Sequence, residues 1–143
     1  MPRISTLPIA LVLLTAAVAS PASLRAQEPL PIHIADLDDE MGGSGGGAGI
    51  EGRVGIWVED AANRPLANVI VRASWSGAVI GTTRCTTDNQ GYCQMVSKTL
   101  RNEQGIYLVM TVRGYDNPEY KFDKKANRER DGDSDGTTIR IQR

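Results

Sequence analysis

The sequence predicts an all-β protein, an antiparallel sandwich of about seven short strands. Three observations lead to this prediction. Apolar and polar residues alternate with a period of two through most of residues 53–112, the pattern of half-buried strands. Clusters of Gly, Pro, Asn and Asp separate the alternating runs. No stretch repeats its apolar residues at helical spacing, which disfavours a parallel sheet with helical crossovers.

Six predicted strands follow a short extended lead, and four of them alternate so that a set of apolar side chains shares one face; residues 79–87 are an extended stretch rich in β-branched residues, and residues 92–96 pair back. The predicted strands cover residues 53–59, 68–75, 79–87, 92–96, 106–112 and 138–142. The side chains expected between the two sheets are Val54, Ile56, Val58, Val69, Val71, Trp75, Ile106, Leu108, Met110, Ile139 and Ile141. Trp75 ends an inward-facing series and is the expected core indole. Trp57 has the outward parity, so it is either covered by a loop or partly exposed.

The first 26 residues predict a secretory signal peptide. Arg3 provides a positive start, and residues 7–18 form an apolar run of about a dozen residues, too short to cross a bilayer as a helix. Small residues follow, and we expect cleavage after Ala26. Cleavage after Ser20 is the poorer choice because Pro21 would follow the cut. The alternative is an uncleaved membrane anchor.

The remaining chain divides into two parts of one domain. Residues 27–52 are an extended lead and a glycine-rich loop at 40–51, and residues 53–143 are the sandwich itself. The glycine-rich stretch lacks the Gly-Lys-Ser/Thr ending of a phosphate-binding loop, so we interpret it as a flexible connection. Residues 121–130 are basic but interrupted by acidic residues, and we interpret them as a solvated connection.

The charge balance excludes two classes of partner. Two of the 16 basic residues lie in the predicted signal peptide, which leaves 14 against 17 Asp and Glu in the mature chain. The basic residues are dispersed rather than arranged in a stripe. We therefore expect no nucleic acid and no anionic lipid as partner. After signal cleavage, no apolar stretch is long enough to span a membrane.

Cys85 and Cys93 predict one disulfide bond in an oxidising compartment. They bracket a strong turn signal at residues 88–91, which predicts a hairpin. A two-residue turn would leave the cysteines diagonal, and a longer turn or a bulge at Gly91 would align them. The short closed loop predicts a stabilisation of about 2.5 kcal/mol. A metal-binding cysteine pair is the alternative, but His33 is the chain's single histidine.

The sharpest candidate site is the acidic loop at residues 131–136. Asp131, Asp133 and Asp135 alternate with Gly and Ser, as in the first half of an EF-hand loop, and their carboxylates predict a looser Ca²⁺ loop. The second half of the EF-hand pattern is missing because Gln142 occupies its twelfth position, where Glu is required. The alternative is a solvated acidic turn that precedes the last strand.

The chain resembles the bacterial immunoglobulin-like modules found in invasin-type and other exported proteins. The segments that carry this resemblance are residues 33–38, 54–60, 63–77, 85–93 and 131–137. The turn at residues 60–66 and the hairpin at residues 86–91 are also similar to those of carboxypeptidase-regulatory-like and transthyretin-like sandwiches. The resemblance implies an immunoglobulin-like antiparallel β-sandwich, often an accessory part of an exported protein, with no catalytic residues. The glycine-rich loop and residues 128–130 depart from the pattern, which weakens any implied ion binding there.

A second acidic group consists of Asp36, Asp38, Asp39 and Glu40. In an immunoglobulin-like sandwich the first and last strands commonly run parallel. The end of the first strand and the start of the last would then lie at opposite poles. We therefore expect this group to lie far from the 131–135 loop. His33, in the same segment, is expected on a strand surface or rim rather than in a metal site.

These features predict an exported, non-catalytic module, secreted or periplasmic, that binds a protein or glycan at or outside the cell envelope. No nucleophile, orienting histidine or cofactor fingerprint is recognisable, so we expect neither catalytic nor cofactor-binding residues. One alternative is a Ca²⁺-dependent adhesion or accessory module that uses the 131–135 loop. A third hypothesis is a small secreted enzyme or inhibitor, but no recognisable set of catalytic or inhibitory residues supports it.

Overall fold

The computed structural model describes residues 27–43, 49–101 and 103–142. The predicted signal peptide therefore lies outside the described residues, as does the middle of the glycine-rich loop. The described residues form nine strands: β1 Leu30–Gly43, β2 Gly49–Asp60, β3 Ile70–Gly77, β4 Gly81–Thr86, β5 Tyr92–Val96, β6 Leu100–Arg101, β7 Tyr107–Tyr115, β8 Tyr120–Phe122 and β9 Thr138–Gln142. A 3₁₀ turn at Lys124–Ala126 follows β8.

The strands form two sheets that pack face to face. The first sheet has the order β5-β2-β1-β8, and the short β6 also pairs with β2. The second has the order β4-β3-β7-β9. Neighbouring strands are antiparallel except β1 and β8, which run parallel. The predicted fold class is confirmed: the protein is an all-β sandwich whose three main strands β1, β2 and β5 face four others. The short β6 and β8 are added to the predicted set of about seven.

The predicted core is buried at every position except one. All the residues predicted between the two sheets are at most 4% exposed, apart from Ile106. Ile106 is only partly buried because it lies in the turn before β7 rather than in the strand. The first strand adds Ile32, Ile34 and Leu37, each at most 1% exposed. The segment predicted as an extended lead is thus a core strand of the first sheet.

The hairpin of β1 and β2 is longer than the sequence predicts. Residues 40–43 and 49–51, expected in a flexible loop, continue the ladder as far as the pair Gly43 and Ile50. Glycine weakens the sequence signal for a strand, but pairing with a long neighbour still holds it extended. Gly52 is required by packing: a Cβ there would lie 2.5 Å from Leu108 Cδ1.

The structure forms the predicted disulfide but corrects its setting. Cys85 lies on β4 and Cys93 on β5, and these two strands belong to different sheets. The Cα atoms are 5.8 Å apart, so the bond fastens one sheet to the other instead of closing a hairpin. The turn itself was predicted correctly, since the Asp88 carboxylate accepts the backbone N–H of Gln90. A turn signal does not specify which strand becomes the neighbour.

Residues 119–130 cover the free edge of β1, and they include residues 121–130, which were predicted to be a solvated connection. The N–H of Leu30 donates to Glu119 O, that of Asp123 to Ile32 O, and that of Arg128 to Ile34 O, each over 2.9 Å. The prediction was wrong because it rested only on the charge of these residues. The edge of β1 has unpaired backbone N–H and C=O groups, and this segment forms hydrogen bonds with them. The segment also carries residues 129–133 to the side of β1.

Candidate functional site

The outer face of the first sheet carries a cleft of about 320 Å³ above Gly55. Strand pairing places Gly55 between Asp38 on β1 and Gln94 on β5. The next pair on the same face of β2 and β5 joins Trp57 to Tyr92, whose ring centroids are 4.8 Å apart and whose planes are tilted by 48°. The rim is completed by Asp39, Glu40 and Arg53. The cleft thus combines two aromatic rings with both signs of charge.

Gly55 allows the two rings to lie over the backbone. A Cβ at this position would be 3.0 Å from Tyr92 Cε2 and 3.1 Å from the Trp57 ring. A side chain at this position would require the rings to shift by a few tenths of an ångström or more, so the glycine at the floor lets them lie close to the strand. Trp57 is partly exposed, which is one of the two outcomes that its outward parity left open. The sequence signal for the cleft was present in this parity, but it did not show that Tyr92 and Asp38 would be neighbours.

The acidic side of the cleft belongs to a larger group of carboxylates. Oxygen atoms of Asp36, Asp38 and Asp131 all lie within 4.8 Å of one another, and those of Glu129, Asp131 and Asp133 do likewise. The expectation that the two acidic segments lie at opposite poles is therefore wrong. The segment that precedes β9 runs beside β1 instead of lying at the opposite end of the sandwich. Asp131 is therefore a member of both carboxylate groups.

The predicted calcium ligands are only partly brought together. Asp131 and Asp133 belong to the same carboxylate group, together with Glu129, whereas Asp135 belongs to neither group. Its carboxylate accepts the N–H of Thr137 over 2.8 Å and that of Thr138, which shapes the turn into β9. Sequence reasoning placed Asp36 and Asp38 in a separate group and did not single out Glu129. No local pattern reports this convergence, because the segments are about ninety residues apart.

Crowding shifts the pKa values of these carboxyls. Burial, together with the nearby charges of Asp131 and Glu129, raises the pKa of Asp133 to about 6. Burial also raises the pKa of Asp38, and repulsion from Asp36 adds to this. For Glu129 burial acts in the same direction but is outweighed by hydrogen bonds, above all from the Ser134 hydroxyl, and its pKa falls to about 2. The group favours the uptake of a proton or cation.

One guanidinium partly offsets this negative charge. Arg130 Nε lies 3.8 Å from Asp36, and its Nη2 lies 3.3 Å from a Glu59 oxygen. His33 Nε2 is 3.8 Å from the other Glu59 oxygen. The imidazole is 3% exposed, so its expected place on a surface or rim is wrong. Burial, and then the charge of Arg128, lowers its pKa despite the neighbouring carboxylates.

No helix within the described residues is both long and apolar enough to cross a membrane. Comparison with protein-family models, with curated proteins and with solved structures finds no match for this chain. The resemblance to bacterial immunoglobulin-like modules therefore stays a prediction. The fold class, an all-β sandwich with a disulfide between its sheets, follows from the structure itself.

Proposed function

We propose that the chain is an exported, non-catalytic, immunoglobulin-like module that binds a protein or glycan at or outside the cell envelope. The observation that carries this proposal is the cleft above Gly55. A concave surface with an aromatic pair and a few polar groups is the usual composition of a binding site. Its parts lie on three paired strands rather than on loops, so they are held in place before a partner arrives.

Export is supported by two features. The first is the disulfide between Cys85 and Cys93, since such bonds persist mainly in oxidising compartments. The second is the amino-terminal pattern of a positive charge, a short apolar run and small residues. Both fit a secreted or periplasmic module.

A retention experiment tests whether the cleft binds a partner. The fluorescently labelled mature protein is incubated with washed bacterial cell-envelope fragments, and the bound fraction is measured. We expect Trp57→Ala to lower retention about tenfold, as expected for a central aromatic contact. Tyr107→Ala is the matched control, because Tyr107 is 43% exposed on a strand of the second sheet. Equal retention of the parent and Trp57→Ala would overturn the proposal.

The second candidate function is a Ca²⁺-dependent adhesion or accessory module. The observation that favours it is the convergence of Asp36, Asp38 and Asp131 from segments distant in sequence. Oxygen ligands of this kind suit Ca²⁺. Calorimetric titration with CaCl₂ tests it: the parent should bind and Asp131→Asn should not, while Asp135→Asn, outside both carboxylate groups, should bind like the parent. Absence of heat from the parent at millimolar Ca²⁺ would remove this candidate.

A further inference from the structure

We propose that the cleft above Gly55 binds an amino-bearing hexopyranose unit of a glycan, an inference that rests on the proposed function. Three properties of the cleft specify this ligand: its size, its charge and the arrangement of its polar groups around the two rings. Each of them excludes a different class of competitor.

Size favours a single sugar unit over a docked protein. A volume of about 320 Å³ is at the lower end of the usual range for small-molecule sites. A stable protein–protein interface buries about 800 Å² on each partner and contains a broader apolar centre. Among the described residues, the exposed large apolar side chains are scattered: Leu30, Ile80 and Tyr107 lie elsewhere on the surface, and Val96, the pairing partner of Arg53, is a single such residue beside the cleft.

The aromatic pair suits the C–H face of a pyranose ring. Trp57 and Tyr92 each present an apolar face next to polar rim groups. Their mutual tilt of 48° forms a corner rather than a flat platform. In such a corner a single sugar ring can contact both aromatic rings. A run of stacked sugar units would need a flat aromatic surface instead.

The charge of the rim selects an ammonium group. Asp38 and Glu40 lie on the outer face of β1 and line the cleft beside one guanidinium, that of Arg53, and Asp39 lies at the same rim. Arg53 is itself 3.7 Å from Glu51, which reduces its attraction for an anionic ligand. Uronate and sulfated sugars would therefore be repelled. An ammonium group gains from the carboxylates and, over the Trp57 ring, from a cation–π interaction.

The remaining rim groups suit hydroxyls. Gln94 is exposed, and its amide nitrogen lies 3.5 Å from the Tyr92 hydroxyl, at the mouth of the cleft. An amide and a guanidinium provide several donors and one acceptor for neighbouring hydroxyl groups. A lysine side chain of a protein partner would use the carboxylates but not these groups, so a glycan fits the whole set better.

The test compares four probes by NMR titration of the isotopically labelled mature protein. The probes are a glucosamine tetramer, its fully N-acetylated counterpart, an oligouronate of equal length and a lysine-rich peptide. We expect the glucosamine tetramer to bind about tenfold more tightly than the acetylated one. The oligouronate should not bind, and the peptide should bind more weakly than the glucosamine tetramer.

Two variants connect the affinity to the cleft. Trp57→Ala should weaken binding of the glucosamine tetramer about tenfold, and Trp57→Phe should recover most of it. Asp38→Asn should reduce the preference for the amine while leaving the affinity for the acetylated tetramer unchanged. Tyr107→Ala and Glu28→Gln, aromatic and acidic controls outside the cleft, should bind like the parent. Thermal melts establish that each variant is folded.

The outcomes separate the two proposals. If Trp57 is needed for envelope retention but no saccharide binds, the amino sugar is wrong and the binding function stands. Tighter binding of the lysine-rich peptide would assign the cleft to a protein partner, and tighter binding of the oligouronate would refute the charge argument. If Trp57→Ala changes neither retention nor any titration, both proposals fail.

Discussion

Replacing Trp75 tests the core of the sandwich. Trp75 lies on β3 between Met110 of β7 and Gly81 of β4, and it is 4% exposed. A buried aromatic side chain removes about 150–250 Å² from water, which corresponds to about 4–6 kcal/mol of transfer free energy. Its indole N–H has no acceptor among the described residues, which reduces this gain by about 1–3 kcal/mol.

The cavity that alanine leaves behind adds to this loss, so we expect Trp75→Ala to lower the free energy of unfolding by about 3–5 kcal/mol. In a domain with a typical stability of about 5–15 kcal/mol, this is enough to leave much of the protein unfolded. Trp75→Phe keeps most of the apolar ring and removes the unpaired N–H, so its cost should be under about 2 kcal/mol.

Urea denaturation followed by circular dichroism measures these differences, with Arg72→Ala as the control. Arg72 is exposed on the opposite face of β3 and lies 3.1 Å from Asp116, which also pairs with Arg84. Loss of this surface ion pair should cost under about 1 kcal/mol. If Trp75→Ala unfolded at the parent's urea concentration while Arg72→Ala lost its fold, the assignment of inside and outside would be reversed.

Four further predictions concern the disulfide, the carboxylates, the cleft and export. Replacing Cys85 and Cys93 together by Ala should lower the free energy of unfolding by about 2.5 kcal/mol, and two alkylated thiols in the unreduced parent would show that no bond forms. Because the pKa of Asp133 is raised in the folded state, to about 6, the stability it contributes is fully present below about pH 4 and is lost as the pH rises through about 6. Asp133→Asn should therefore flatten the pH dependence of the melting temperature in this window, and an unchanged slope would contradict the crowding of charges. Gly55→Ala should displace the aromatic pair and alter its near-ultraviolet circular dichroism without unfolding the protein, whereas an unaltered spectrum would mean that the rings do not depend on the glycine. Mass spectrometry of exported protein should show an amino terminus just after Ala26, and an intact amino terminus would refute cleavage.

Much of the fold could be predicted because strand parity is a local property. Alternation places Val54, Ile56 and Val58 on one face, and a slip of one residue would expose all three, so the register is strongly specified. Of the predicted core, Ile106 alone is only partly buried, since parity does not show where a strand begins. The full length of the β1–β2 hairpin could not be predicted, because its glycines have no side chains and therefore show no alternation.

The candidate site was harder to predict because its residues come from separate segments. The pairing of Asp38 with Gly55 and of Gly55 with Gln94 creates the cleft, and no short pattern contains all three. The acidic loop was recognisable as a group of possible ligands. Its partners on β1 were not, since their approach depends on how the 119–130 segment satisfies the edge of that strand.

The sequence by itself determined the all-β class, the faces of the strands, the core around Trp75 and the turn between the two cysteines. Only the tertiary structure decided that Cys85 and Cys93 join different sheets, that Asp131 meets Asp36 and that Trp57 forms one wall of a cleft. The physical reason is the range of the interactions. Alternation and turn geometry depend on residues a few positions apart, whereas strand order and the covering of edges depend on backbone groups and surfaces far apart in the chain.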